Sequence, residues 1–280
     1  MKTVVNQIIK GSNQRAILVD SFIPQATKPL PVVVFCHGYK GFKDWGAWNL
    51  MAAELCAAGF AVITFNFSHN GGTVSQPIDF PDLEAFAENN YSKELYDLQK
   101  VIGHLEGLNG ASELLDLENI YLLGHSRGGG IVTLTAAQDN RVAKVVSLAG
   151  VSDYGARFLE GTPHFKQWQQ EGTTYVENTR TGQMLPHNFQ FYTDFIANED
   201  SLTIKTAAQN INIPHLIVHG TADPTVGLQE AQNLHAWSTN SELFLIPEAD
   251  HVFGMKHPWT KTALPVHMQQ AVGKIISFLK

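Results

Sequence analysis

The chain has 280 residues, of which 44% are hydrophobic and 16% charged, with a formal net charge of −7. That apolar content can bury a sizeable core and excludes a disordered chain. The acidic balance lacks the basic footprint of phosphate-backbone binding, so nucleic acid is not an expected partner. No apolar run approaches the ~18 residues of a membrane span. The N-terminal stretch Val4–Ile9 is too short and too polar for the core of a signal peptide. Cys36 and Cys56 cannot build a disulfide framework and are expected as reduced packing residues. Together these features predict a soluble, cytoplasmic protein.

In chain order, Val4–Lys10 and Ala16–Ile23 read as strands joined by a turn at Gly11, Ser12 and Asn13. Pro29 and Pro31 introduce Val32–Cys36, a short all-apolar run of the kind buried on both faces of a sheet. Trp48–Ala58 fits a helix stopped by Gly59, and Phe60–Phe67 is a second buried strand. Leu95, Leu98, Val101, Ile102 and Leu105 recur at helical spacing, predicting an amphipathic helix over Ser92–Glu106 with Ser92 as its N-cap. Asn119–Leu123 is a strand, Gly128–Gln138 a helix and Ala143–Leu148 a strand; Leu216–His219 and Leu243–Ile246 are strands around a helix at Gln229–Trp237, and His267–Leu279 closes the chain as a helix. Such alternation predicts a mostly parallel sheet covered by helices on both faces, and a single domain over residues 1–280.

The rhythm breaks between Asp153 and Ala207. Nine aromatics fall there (Tyr154, Phe158, Phe165, Trp168, Tyr175, Phe189, Phe191, Tyr192 and Phe195). A long structureless loop inside a compact domain is improbable, so residues 154–207 are expected to form an inserted helical lid. Its aromatics either line a pocket or only pack the lid down.

The strongest chemical signal is Gly124-His125-Ser126-Arg127-Gly128. It follows the strand ending in Leu123 and precedes a helix, the strand–turn–helix context of a G-x-S-x-G elbow. Side chains at 124 or 128 would collide with neighbouring segments, and the helix N-terminus favours negative charge developing near the serine. Serine is a weak nucleophile until a base takes its proton. Asp250-His251, after the strand Leu243–Ile246, supplies His251 as the expected base, with His257 as an alternative. Asp223, in the loop after Leu216–His219, is the expected orienting acid, with Asp153 a rival position that suits a cap or hinge. The order Ser126, Asp223, His251 matches one of the known triad orders. For the oxyanion hole, the Arg127 amide follows the nucleophile, and the Tyr39 amide lies in His37-Gly38-Tyr39-Lys40-Gly41. Gly38 permits close backbone approach there, and His37 is expected to order that loop by hydrogen bonding. The Arg127 side chain is read either as a salt-bridge partner or as a receptor for a substrate carboxylate.

Taken together, His37-Gly38, Gly-His-Ser-Arg-Gly, Gly220-Thr221-Ala222-Asp223 and Asp250-His251 resemble the serine α/β-hydrolase family over about residues 30–280. The pattern looks closest to the dienelactone-hydrolase-like and prolyl-oligopeptidase-like esterase branches. The resemblance implies the α/β-hydrolase fold, a mostly parallel eight-stranded sheet with Ser126, Asp223 and His251 at its C-terminal edge. Two departures matter. Dienelactone hydrolases carry a cysteine nucleophile where Ser126 stands, and no oligopeptidase-type N-terminal propeller is present. The implied reaction is hydrolysis of a small to medium, partly apolar carboxylic ester through an acyl-enzyme, with thioester or small-peptide amide cleavage as alternatives and a non-catalytic ligand-binding scaffold as the reading from another class. No H-E-x-x-H and no Cys/His cluster of zinc spacing occurs, so neither a metal nor another cofactor is expected. The substrate would be a small molecule; oligomeric state is not readable.

Overall fold

In the computed structural model, which describes residues 1–108 and 112–280, the apolar run at Val32–Cys36 forms the last five residues of a strand and is buried throughout. Strands β1 (Lys2–Lys10), β2 (Ala16–Ile23) and β3 (Leu30–Cys36) lead to helix α1 (Trp48–Ala57) and strand β4 (Ala61–Asn66). Helices α2 (Leu83–Ala87) and α3 (Tyr91–Gly103), strand β5 (Leu115–His125), helix α4 (Arg127–Gln138) and strand β6 (Val142–Leu148) follow. After an intervening segment come β9 (His215–Gly220), α9 (Leu228–Trp237), β10 (Ser241–Ile246) and α10 (Val266–Leu279).

These strands form an eight-stranded sheet in the order β1-β2-β4-β3-β5-β6-β9-β10. β1 and β2 pair antiparallel, as do β2 and β4, and the remaining neighbours are parallel. Alternation along β3 divides the core. Val32, Val34 and Cys36 pack with Leu98, Ile131 and Leu234 of α3, α4 and α9, while Val33 and Phe35 pack with Met51 and Val272 of α1 and α10. The fold is thus the expected sheet with helices on both faces. Cys36 and Cys56 are both free and buried, and among the described residues no helix is long and apolar enough to cross a membrane.

Two local expectations change. Helix α3 is capped by Asn90, not Ser92: Asn90 is extended and its side chain accepts the Lys93 amide at 2.9 Å, while Ser92 Oγ donates to Asp194 at 2.7 Å. The helix ends at Gly103, and Glu106 lies in a short 3-10 turn. The segment between β6 and β9 is helical in part, with α5 (Pro163–Glu171), α6 (Gln190–Ala197), α7 (Glu199–Leu202) and α8 (Ile204–Asn210). It also contains an antiparallel hairpin, β7 (Thr173–Asn178) with β8 (Gln183–Asn188), that its aromatic content did not signal.

Candidate active site

Ser126 sits between β5 and α4 with φ 56° and ψ −118°, a backbone region that costs a non-glycine residue about 1–3 kcal/mol. The neighbours hold it there. Its amide donates to Leu148 O at 3.0 Å, and its carbonyl accepts from Gly129 and Val151 at 2.9 and 3.1 Å. The surrounding glycines are required by contact. A Cβ on Gly124 would lie 2.2 Å from Gly128 O, and one on Gly128 would lie 2.5 Å from Cys36 O. The turn is therefore pressed between the start of α4 and the end of β3.

At the same edge of the sheet, the loops after β9 and β10 meet. A Cβ on Gly220 would be 2.2 Å from Ala249 O, and the Ala222 amide donates to that oxygen at 3.1 Å. This close approach brings Asp223 and His251 together, with His251 Nδ1 donating to Asp223 Oδ2 at 2.8 Å. The Asp223 carboxylate is fully buried, and its Oδ1 accepts the Thr225 and Val226 amides at 2.8 and 2.9 Å. Burial alone would raise its pKa, but the His251 bond and those amides win, and the carboxyl is held below its ordinary value. His125 Nε2 donates to the His251 carbonyl at 2.9 Å, which fastens the His251 loop to the residue before Ser126. His219 lies against the other side of Asp223, 3.6 Å from Oδ2, and donates from Nε2 to Val226 O.

The loop after β3 closes over Ser126. A Cβ on Gly38 would come within 2.9 Å of Ser126 Cβ. His37 orders this loop, as expected: Phe67 N–H reaches its Nε2 at 3.4 Å, so Nδ1 carries the proton and donates to Gly38 O at 2.9 Å. Burial lowers its pKa to about 4. Among the described residues, neither the Tyr39 nor the Arg127 amide is bonded to a backbone carbonyl.

A cavity of about 340 Å³ opens at Ser126, lined by Tyr39, Tyr91, Arg127, Tyr154, Phe158, Trp168, His187 and Phe191 among others. The aromatics of the inserted segment therefore divide. Tyr154, Phe158, Trp168 and Phe191 line the cavity, Phe165 and Phe195 are buried in the packing, and Tyr175 is exposed. The hairpin is fixed to the β3 loop by a 2.7 Å bond between Tyr39 Oη and His187 Nε2, and Trp168 Nε1 donates to His187 O at 2.8 Å. Burial pushes the His187 pKa down to about 3, with the Arg127 and Lys40 charges acting in the same direction. The Arg127 side chain takes the salt-bridge reading, with Nη1 3.2 Å from Glu94 Oε1. Its guanidinium also lies 4.5, 5.3 and 5.2 Å from the Tyr39, Tyr91 and Phe191 ring centres. Among the described residues, no group of three or more His, Cys, Asp or Glu could hold a metal ion.

The profile of the alpha/beta hydrolase family matches residues 33–263. The chain belongs to that family. Among solved structures, this chain is similar to Est1E from Butyrivibrio proteoclasticus with ferulic acid bound, with a TM-score of 0.74, 17% identity and coverage of 99% of this chain and 97% of that one. It is also similar to a putative dienelactone hydrolase from Klebsiella pneumoniae subsp. pneumoniae MGH 78578, with a TM-score of 0.62, 16% identity and coverage of 100% and 99%. Among curated proteins, it is 28% identical over 130 residues to the quorum-quenching protein AidA of Acinetobacter baumannii (strain MDR-ZJ06), a match covering 46% of this chain and 38% of that relative.

The alternative site residues lie elsewhere. His257 Nδ1 accepts the Gly46 amide at 3.0 Å and has no bond to Asp223. Asp153 is exposed and accepts the Ala156 amide at 3.2 Å, the capping role expected of it. Asp250 accepts the Val252 and Gly254 amides of its own turn. Sequence reasoning missed Tyr91, Glu94 and His187. Glu94 did leave a signal, because with Leu98 and Val101 it falls on the apolar stripe of α3. A carboxylate on such a stripe needs a buried partner, here Arg127. His187, in a strand read as part of a helical lid, left none.

Proposed function

We propose that this hydrolase cleaves carboxylic esters through an acyl-enzyme, with Ser126 as nucleophile, His251 as base and Asp223 as the orienting acid. The observation that carries this reading is the 2.8 Å Asp223–His251 bond at the sheet edge where Ser126 occupies a left-handed strand–helix turn. With Nδ1–H held by Asp223, the His251 lone pair is on Nε2 and can take the Ser126 hydroxyl proton. Ser126 Oγ bonds to the acyl carbon, and the carbonyl electrons move to oxygen, where the Tyr39 and Arg127 amides donate to it. Collapse of that intermediate breaks the ester C–O bond, and the alcohol leaves with the proton from His251. Water then gives its proton to His251 and attacks the acyl carbon, releasing the acid and restoring Ser126.

The reading includes one α/β domain over residues 1–280, in which residues 154–207 act as a lid and the cavity beneath holds the acyl group. The aromatic walls suit a small to medium, partly apolar chain or ring, and the ferulic acid in Est1E offers an aromatic acid as a guide to size. Hydrolysis of p-nitrophenyl esters of increasing acyl length, with Ser126→Ala as control, tests the reading. Turnover that peaks at one length and disappears in the variant is the expected result. Turnover only on thioesters or peptides would replace the ester assignment, and Ser126→Ala with near-normal rates would overturn the mechanism.

A further inference from the structure

The Arg127 guanidinium stands in the cavity beside the proposed nucleophile, with only 12% of its side chain exposed. Among the described residues its single hydrogen-bond partner is Glu94, reached from Nη1 at 3.2 Å. The donors on Nε and Nη2 have no acceptor within the protein; flanked by the three rings, they keep some exposure to solvent. Glu94 Oε1 also accepts Asn89 Nδ2 at 2.7 Å, and its Oε2 is buried without a partner. Much of the cavity wall is aromatic or aliphatic, as at Tyr154, Phe158 and Trp168, with Arg157, His164 and Thr174 as further polar groups, so the spare Arg127 donors form a charged spot in a largely apolar pocket.

Resting on the ester-hydrolase reading, we propose that Arg127 is a specificity-determining residue whose free donors bind a neutral oxygen acceptor, such as a ketone or ether, on the acyl chain of the substrate. Neutral follows from the charge balance. Glu94 already faces the guanidinium, and a second carboxylate would enter a largely apolar cavity with no cation of its own. Arg157, the other arginine on the cavity wall, is paired with Glu230.

The test compares the methyl esters of heptanoate and of its 4-, 5- and 6-oxo analogues with the monomethyl ester of heptanedioate. At least one oxo ester is expected to exceed heptanoate in kcat/KM by about tenfold to a hundredfold, the range of a hydrogen bond to a charged group. That preference should fall to within about threefold in the neutral pair Arg127→Met/Glu94→Gln, with Arg127→Lys as a second variant that retains the charge and part of the preference. Equal rates for oxo and plain esters, or a preference that survives in Arg127→Met/Glu94→Gln, would overturn the proposal. A larger gain for the heptanedioate ester would replace the neutral acceptor by an anion. Calorimetric binding of the same esters to Ser126→Ala reads the preference without turnover. Absence of hydrolysis would thus count against the ester reading alone, while equal binding of oxo and plain esters would count against the acceptor site.

Discussion

Replacing Asp223 by Asn changes a single atom, and its consequence can be worked out from the hydrogen bonds. Asp223 Oδ1 accepts two amides, from Thr225 and Val226, while Oδ2 accepts one N–H from His251. An asparagine can place its carbonyl oxygen on only one side. Two amides against one imidazole decide the orientation: the oxygen stays with the loop, and the NH2 faces His251. A donor now meets Nδ1, so the imidazole must carry its proton on Nε2, where Ser126 needs a base. The same tautomer reversal lowers kcat by about 10⁴ in serine proteases, equivalent to about 5.5 kcal/mol of barrier. Folding should suffer far less, by about 1–2 kcal/mol, because the loop bonds persist and only one charge-assisted bond is lost. Steady-state ester hydrolysis and urea unfolding of Asp223→Asn measure the two effects separately. A kcat within tenfold of the parent, in a folded variant, would refute the argument that Asp223 fixes the base.

Gly38→Ala places a Cβ 2.9 Å from Ser126 Cβ and 3.1 Å from His125 O. The β3 loop must retreat, and kcat is expected to fall tenfold to a hundredfold with little change in Tm; an unchanged kcat would show that this loop does not contribute to the reaction. Gly124→Ala meets backbone at 2.2 Å and should cost about 3 kcal/mol in urea unfolding, whereas a loss below 1 kcal/mol would contradict the packing described here. Acid should unfold the protein through its buried histidines. Burial lowers the pKa of His37 and His69 to about 4 and of His125, His187 and His215 to about 3. The folded values lie below the unfolded one, so this stability is present above the unfolded pKa of about 6.5 and is lost as pH falls toward 3–4, by at most about 1.4 kcal/mol per pH unit for each histidine. Asp97, raised by burial to about 6, works in the opposite direction between about pH 6 and 4 and offsets part of the loss. Stability that is flat from pH 7 to 4 would contradict this balance.

Residues whose neighbours in sequence are also their neighbours in space were the legible ones. The Ser126 turn could be read because its glycines are demanded by contacts that begin within four residues, such as Gly124 against Gly128. Asp223 and His251 could be placed because each follows a recognisable apolar strand. Asn90 and Ser92 are two residues apart, and both cap well in principle. Asp194, 102 positions from Ser92, takes the serine hydroxyl and leaves the cap to Asn90. The β7–β8 hairpin escaped notice because β7 is mostly half-buried or exposed and β8 contains Pro186, so neither shows a clean alternation. Asp97 accepts the Ser12 and Ser68 amides, each at 2.7 Å. Those partners lie 85 and 29 positions away in the chain, so nothing local to the helix pointed to them.

The measurement that bears most directly on the central claim is intact-mass analysis after incubation with a fluorophosphonate, followed by peptide mapping. The protein is expected to gain one phosphonyl group, on the peptide containing Ser126, and Ser126→Ala should gain none. Ester turnover by a protein that resists labelling, or a label on any other residue that persists in Ser126→Ala, would contradict the assignment of Ser126 as the nucleophile.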